Sequence, residues 1–228
     1  MTDITNNSSV TVAGSGYVNK LTGEDGVINE WSVETSVNDI EESIIDREWN
    51  NMFANTVDVS VSVPTIYKGA KTTSLRDHQL DSENYVFLRL NTQGNWIGGK
   101  TVYPSFGSNQ SSNSLLMHNT TFMQANEVWV NGENYKDLAL SSSGRSTDVG
   151  SPASTDKAFL DVLEKSTGSV DVTFTRGSDN VVIPVTGVGV HTVDLSTLTG
   201  NGAVTCSVTG SDSITAEFYS GQDCEVEI

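Results

Sequence analysis

Apolar residues in this chain recur mainly at every second position. Trp31-Ser32-Val33-Glu34-Thr35-Ser36-Val37 alternates in this way, and so does Val57-Asp58-Val59-Ser60-Val61-Ser62-Val63, whose valines share one face of a strand. Pro64 ends that run or marks a sheet edge. Further strands are expected over 85–90, 96–103, 115–123, 127–130 and 138–140, with polar loops such as 107–114 between them. Beyond residue 168 short strands follow at 170–175, 181–185, 190–195, 203–208, 214–219 and 225–228, a spacing that suits a sandwich. Two stretches change period. Over 39–53 the residues Ile40, Ile44, Ile45, Trp49, Met52 and Phe53 fall along one helical face, with Asn38 as N-cap and Glu41 in capping-box position. A second, short helix is expected after Ser154 or Thr155, carrying Ala158, Phe159, Val162 and Leu163 on one side.

The pattern predicts an all-β chain: a jelly-roll β-sandwich with one or two short helices over residues 1–165, and a smaller C-terminal β-sandwich over 166–228. The longest stretch without apolar periodicity, 141–152, precedes that change of texture. No fixed-period repeat points to a propeller or solenoid.

Charge changes the picture. The chain carries 29 acidic against 12 basic residues, a net charge of -17 over 228 residues. Self-repulsion at that level works against compaction in dilute salt. At molar ionic strength the Debye length falls to ~3 Å and the penalty disappears, so a salt-loving source is expected. The same acidity disfavours nucleic acid and anionic membranes, which are bound by clustered Lys and Arg. The start of the chain lacks a basic segment followed by an apolar one, so export by an ordinary signal is not expected.

Candidate chemistry is sparse. His78, His118 and His191 stand apart from one another and from the cysteines, which gives no metal-ligand spacing, and no cofactor is implied. No serine sits in a GxSxG turn. Gly14-Ser15-Gly16 and Gly187-Val188-Gly189 lack the rest of a phosphate loop and read as turns. The paired carboxylates Glu41/Glu42 and Asp46/Glu48 lie on the polar face of the expected helix, where solvated charge is the default. An enzyme is therefore not expected. Trp96, flanked by glycines, and Tyr103 offer a platform on which a sugar ring would stack, the basis of an alternative carbohydrate-binding or lectin-like reading. Cys206 and Cys224 have three fates open: buried thiols, an intrachain bridge, or bonds to another chain.

This acidic, strand-rich chain with one early amphipathic helix and a β-rich tail resembles the single-jelly-roll major capsid proteins of icosahedral haloarchaeal viruses with an internal membrane, in the larger, tower-bearing type. The resemblance rests on size, acidity and strand texture across the whole length. It implies a coat protein made in the host cytoplasm and located in the virion. Such a protein assembles with copies of itself and with a second capsid protein, close to an internal membrane and without nucleic-acid contact. It also implies inter-subunit disulfides, for which Cys206 and Cys224 are the candidates. Trp49, Met52 and Phe53 would anchor the helix on the core or on a neighbour.

Overall fold

A computed structural model describes residues 9–14, 16–22, 32–42, 51–66, 84–89, 96–109, 117–124, 130–141, 146–209 and 212–223. All regular structure among them is strand: β1 (Ser9–Gly14), β2 (Tyr17–Thr22), β3 (Ser32–Glu42), β4 (Asn51–Ile66), β5 (Asn84–Arg89), β6 (Trp96–Asn109), β7 (Met117–Gln124), β8 (Val130–Ser141), β9 (Thr147–Asp148), β10 (Lys157–Lys165), β11 (Val170–Arg176), β12 (Asp179–Val185), β13 (Gly189–Val193), β14 (Thr205–Val208) and β15 (Ser213–Asp223). The chain is an all-β protein built from antiparallel sheets.

Both expected helices are strands where they are described. Ile40 pairs with Phe53 and Glu41 with Met52, so residues 39–42 and 51–53 are the ends of a β3–β4 hairpin; Trp49 lies outside the described residues. An unequal count at Asn38/Asp39 marks a bulge, which shifts the two-residue alternation and leaves a spacing that imitates a helical face. The segment 157–165 is β10. Its residues Ala158 to Val162 are all buried, because this strand has a layer on either side. A continuous apolar run is what a strand covered on both faces needs, and it reads ambiguously against a buried helix.

One sheet contains 11 strands, with the path β13-β10-β15-β8-β6-β5-β1-β2 and a branch in which β6 pairs β7, β7 pairs β4 and β4 pairs β3. A second sheet has the order β12-β11-β14-β9. The boundary expected at residue 165/166 falls between β10 and its own neighbours, since β10 pairs with β13 and β15, and β15 pairs with β8.

Strands β8, β10 and β15 form a middle layer with two unlike faces. Leu138, Leu140, Ala158, Leu160, Val162, Ile214, Ala216 and Phe218 point to the second sheet, meeting Val170, Val172, Phe174, Cys206 and Val208. The rings of Phe174 and Phe218 meet across the two sheets at 5.4 Å between centroids. Full burial of each such side chain contributes about 1.5–3 kcal/mol. On the opposite face Phe159, Tyr219 and Tyr135 lie in one cross-strand row and cluster with Phe87 and Trp96.

Beyond β8 the sheet curls back over that aromatic face. Its two ends come together where the Gly16 amide donates to the Val188 carbonyl at 3.1 Å. Gly189, at φ +112°, sits so close to Gly14 that a Cβ there would come within 1.9 Å of the Gly14 carbonyl oxygen. The two Gly-x-Gly turns, far apart in sequence, thus close a barrel-like layer by backbone contact that only glycine permits.

Candidate functional site

The interior of that curled layer holds the one buried concentration of charge among the described residues. In the β10–β15–β8 register, Asp161 pairs with Glu217 and Glu217 with Asp137, so three carboxyl groups stand side by side on one face. Asp161 and Glu217 are fully buried, whereas Asp137 is largely exposed. Like charges directly opposite one another destabilise a sheet. Compensation comes from the facing strands. Lys20 on β2 makes a direct ion pair with Glu217 Oε1 and lies 3.8 Å from Asp137 Oδ1. Arg89 on β5 approaches Asp137 Oδ2 at 3.7 Å and lies over the Tyr135 ring at 4.1 Å.

Hydroxyl groups complete the shell around Glu217. Tyr219 donates to Oε2 at 2.5 Å and Thr11 to the same oxygen at 3.2 Å. The Tyr135 hydroxyl lies 3.0 Å from Glu217 Oε1 and 2.6 Å from Asp137 Oδ1, with a single proton for two acceptors, and accepts from Arg89 Nη1 at 3.2 Å. Both Glu217 oxygens thus have protein partners. Asp161 is its opposite: both of its oxygens are buried and neither has a hydrogen-bond partner among the described residues. Burial, then the neighbouring Glu217 charge, pushes the Asp161 carboxyl well above the usual carboxylate range, against a smaller opposing effect of Lys20. Burial and the Glu217 charge likewise raise the phenols of Tyr219 and Tyr135.

The residues singled out in the sequence fall elsewhere. Trp96 is fully buried; its indole Nε1 donates to the Ser220 carbonyl at 3.1 Å and its ring packs edge-on against Phe87 and Tyr219. Gly132, directly opposite in the register, leaves the space, since a Cβ there would come within 2.0 Å of the indole nitrogen. No face of this ring is open to a sugar. Tyr103 belongs to β6, and its side chain lies outside what the structure describes. Cys206 is a free thiol buried in the sandwich core opposite Phe174, and burial pushes its pKa up to about 12. A bond to another chain would require that core to open. Cys224 lies outside the described residues. Met52 and Phe53 sit in β4. His191 Nε2 lies 3.2 Å from the Gly187 carbonyl oxygen, a contact within one turn. Among the described residues no three His, Cys, Asp or Glu side chains are grouped to hold a metal ion. No described helix is long and apolar enough to cross a membrane.

The acid row was missed in the sequence because its members are separated by whole strands. One signal was present: Asp161 interrupts the apolar run Ala158-Phe159-Leu160-Asp161-Val162-Leu163. A lone carboxylate inside such a run marks a buried acid.

No family model and no curated protein matches the chain. Among solved structures, it is similar to a protein in the tail of an empty gene transfer agent particle, at 13% identity and a TM-score of 0.43, covering 56% of this chain and 96% of that one. It is also similar to the SPP1 Dit protein, described as a hub adsorption apparatus of phages infecting Gram-positive hosts, at 9% identity and a TM-score of 0.37, covering 93% and 98%. Likeness at this distance leaves the role of the chain to its own residues.

Proposed function

We propose that this chain is a structural protein of a virion, which associates with copies of itself through the β3–β4 ribbon and performs no reaction on a small-molecule substrate. The observation that carries this reading is the ribbon's pairing. β3 and β4 pair with each other from Ser32↔Ser62 to Glu42↔Asn51, but β4 reaches the body of the sheet only through Ser60 to Ile66, on β7. Among the described residues, β3 has no second neighbour and neither does the Asn51–Val59 part of β4. A two-stranded hairpin is at best marginally stable in water. Two free edges on one ribbon are also what head-to-tail association needs: each copy's β3 adds to the next copy's β4, and a rotation that closes gives a ring whose composite sheet has no edge left.

The acidic surface fits such an assembly in concentrated salt, where repulsion between copies is screened. The remote likenesses to phage and gene transfer agent parts are in keeping with this reading, and too distant to carry it. A shell tile built with a second coat protein beside a membrane is the finer alternative.

Particle sizing and negative-stain imaging of the purified chain in molar salt test the proposal. Rings or stacked rings that fall apart on dilution into low salt are expected, and a variant with residues 39–55 replaced by a short turn should remain a monomer. A wild-type monomer indifferent to salt would overturn it.

A further inference from the structure

The acid row contains more than a fold of this kind requires. Glu217 has its cation in Lys20 and its hydrogen bonds in Thr11, Tyr135 and Tyr219. Asp161 has no hydrogen-bond partner among the described residues, yet it is fully buried on the adjacent strand, directly opposite Glu217. Buried polar groups without partners cost free energy and are rarely kept without a use. An ion pair between Lys20 and Glu217 would be complete with alanine at 161.

A lysine, a buried carboxyl group without hydrogen-bond partners among the described residues and a carboxylate touching the amine are the three parts of an amide-forming reaction. We propose that Lys20 and Asp161 become joined by an isopeptide bond formed inside the folded chain, with Glu217 moving the protons. Glu217 takes a proton from the Lys20 ammonium, which frees the amine as a nucleophile. Nζ attacks Cγ of Asp161, whose neutral carboxyl is an electrophile where a carboxylate would not be. Glu217 returns its proton to the departing hydroxyl and accepts the second amine proton. The Nζ–Cγ bond forms, a Cγ–O bond breaks, one water leaves, and Glu217 ends as the acid. No oxidant, metal or external reagent enters the balance.

Position supports each step. Directly paired residues on adjacent strands keep their Cβ atoms ~4.5–5.5 Å apart, so an amine in contact with Glu217 is within a side chain's reach of Asp161. Phe159, two residues away on the same face, and Tyr219 pack beside the buried carboxyl groups. The bond would tie β2, near the start of the chain, to β10, covalently locking the barrel that the glycine turns close by backbone contact. This inference does not depend on the assembly reading, and its test is made on single chains.

The experiment is intact-mass measurement of the full chain, folded in molar salt and then denatured, followed by peptide mapping. The wild-type mass should fall short of the sequence by one water, and a fragment containing Lys20 should be joined to one containing Asp161. Lys20→Arg and Asp161→Ala should show the full mass. Glu217→Gln should cross-link roughly 10²-fold more slowly. Separate linear Lys20 and Asp161 peptides from folded wild-type protein would overturn the proposal, as would a link through Glu217 or Asp137. Unimpaired cross-linking in Glu217→Gln would overturn the assigned proton role. The wild-type mass decides the main point even if every variant fails to fold.

Discussion

The two faces of the β8–β10–β15 layer share a backbone and almost nothing else. Toward the second sheet they present an aliphatic surface closed by Phe174, Phe218 and the buried Cys206, with one large core. Toward the curled strands they present aromatic rings and a row of acids stitched to Lys20, Arg89 and the hydroxyls of Thr11, Tyr135 and Tyr219. The first face is what stability alone would select. The second carries like charges in register, and its stability depends on every partner being present, since removing one member of a buried pair leaves an uncompensated charge. The contrast teaches that packing and chemistry have been separated onto opposite sides of the same three strands.

Substitutions on each face sharpen that comparison. On the aliphatic side, Phe174→Ala should cost ~3–5 kcal/mol by opening a cavity beneath Phe218, read as a fall in the midpoint of salt-matched denaturant unfolding. On the barrel side, Gly189→Ala should cost at least ~1–3 kcal/mol from its backbone conformation alone. The added methyl also meets the Gly14 carbonyl. Amide exchange should then quicken in β1 and β13 while β11 and β14 stay protected.

Cys206→Ser puts a hydroxyl into the aliphatic core and should cost ~1–3 kcal/mol. In the folded wild type, with the thiol buried and its pKa raised to about 12, alkylation near neutral pH should proceed only through unfolding. A thiol labelled as fast as free cysteine would place it at a surface instead.

The barrel face also sets a limit at high pH. The phenols of Tyr219 and Tyr135 are raised above 10.0, so above that pH the unfolded chain gives up phenolic protons that the folded chain retains. Their contribution is fully present below pH 10 and is lost as pH rises further. Tyr219→Phe should cost ~0.5–1.5 kcal/mol at neutral pH by taking a donor from Glu217, and should flatten the alkaline decline. The smallest effect is expected at the exposed Asp179. Its carboxylate accepts from the Thr199 hydroxyl and from the Thr199 and Gly200 amides, which hold its pKa below the usual value. Asp179→Ala should loosen the 195–204 loop at neutral pH, and its difference from wild type should shrink as acid protonates Asp179 in the parent.

Much of this organisation was legible in the residues. The Val57–Val63 alternation and most strand positions after residue 168 were correctly placed, because one-sided burial writes a two-residue period into the chain. Residues 39–42 and 51–53 were misread because a bulge at Asn38/Asp39 breaks that period. Residues 157–165 were misread because burial on both faces erases the period altogether. Trp96 invited a ligand from its glycine neighbours. What it needed was the missing side chain of Gly132 on another strand.

By itself the sequence determined that the chain is built of strands and that it is strongly acidic. These are properties of local pattern and summed charge. Tertiary structure alone decided that Asp137, Asp161 and Glu217 share a row, that Lys20 reaches them from β2, and that two distant Gly-x-Gly turns meet. The physical reason is register: shifting any one strand by a single residue would send its acid to the other face, and strand register is set by the assembled sheet rather than by any segment within it.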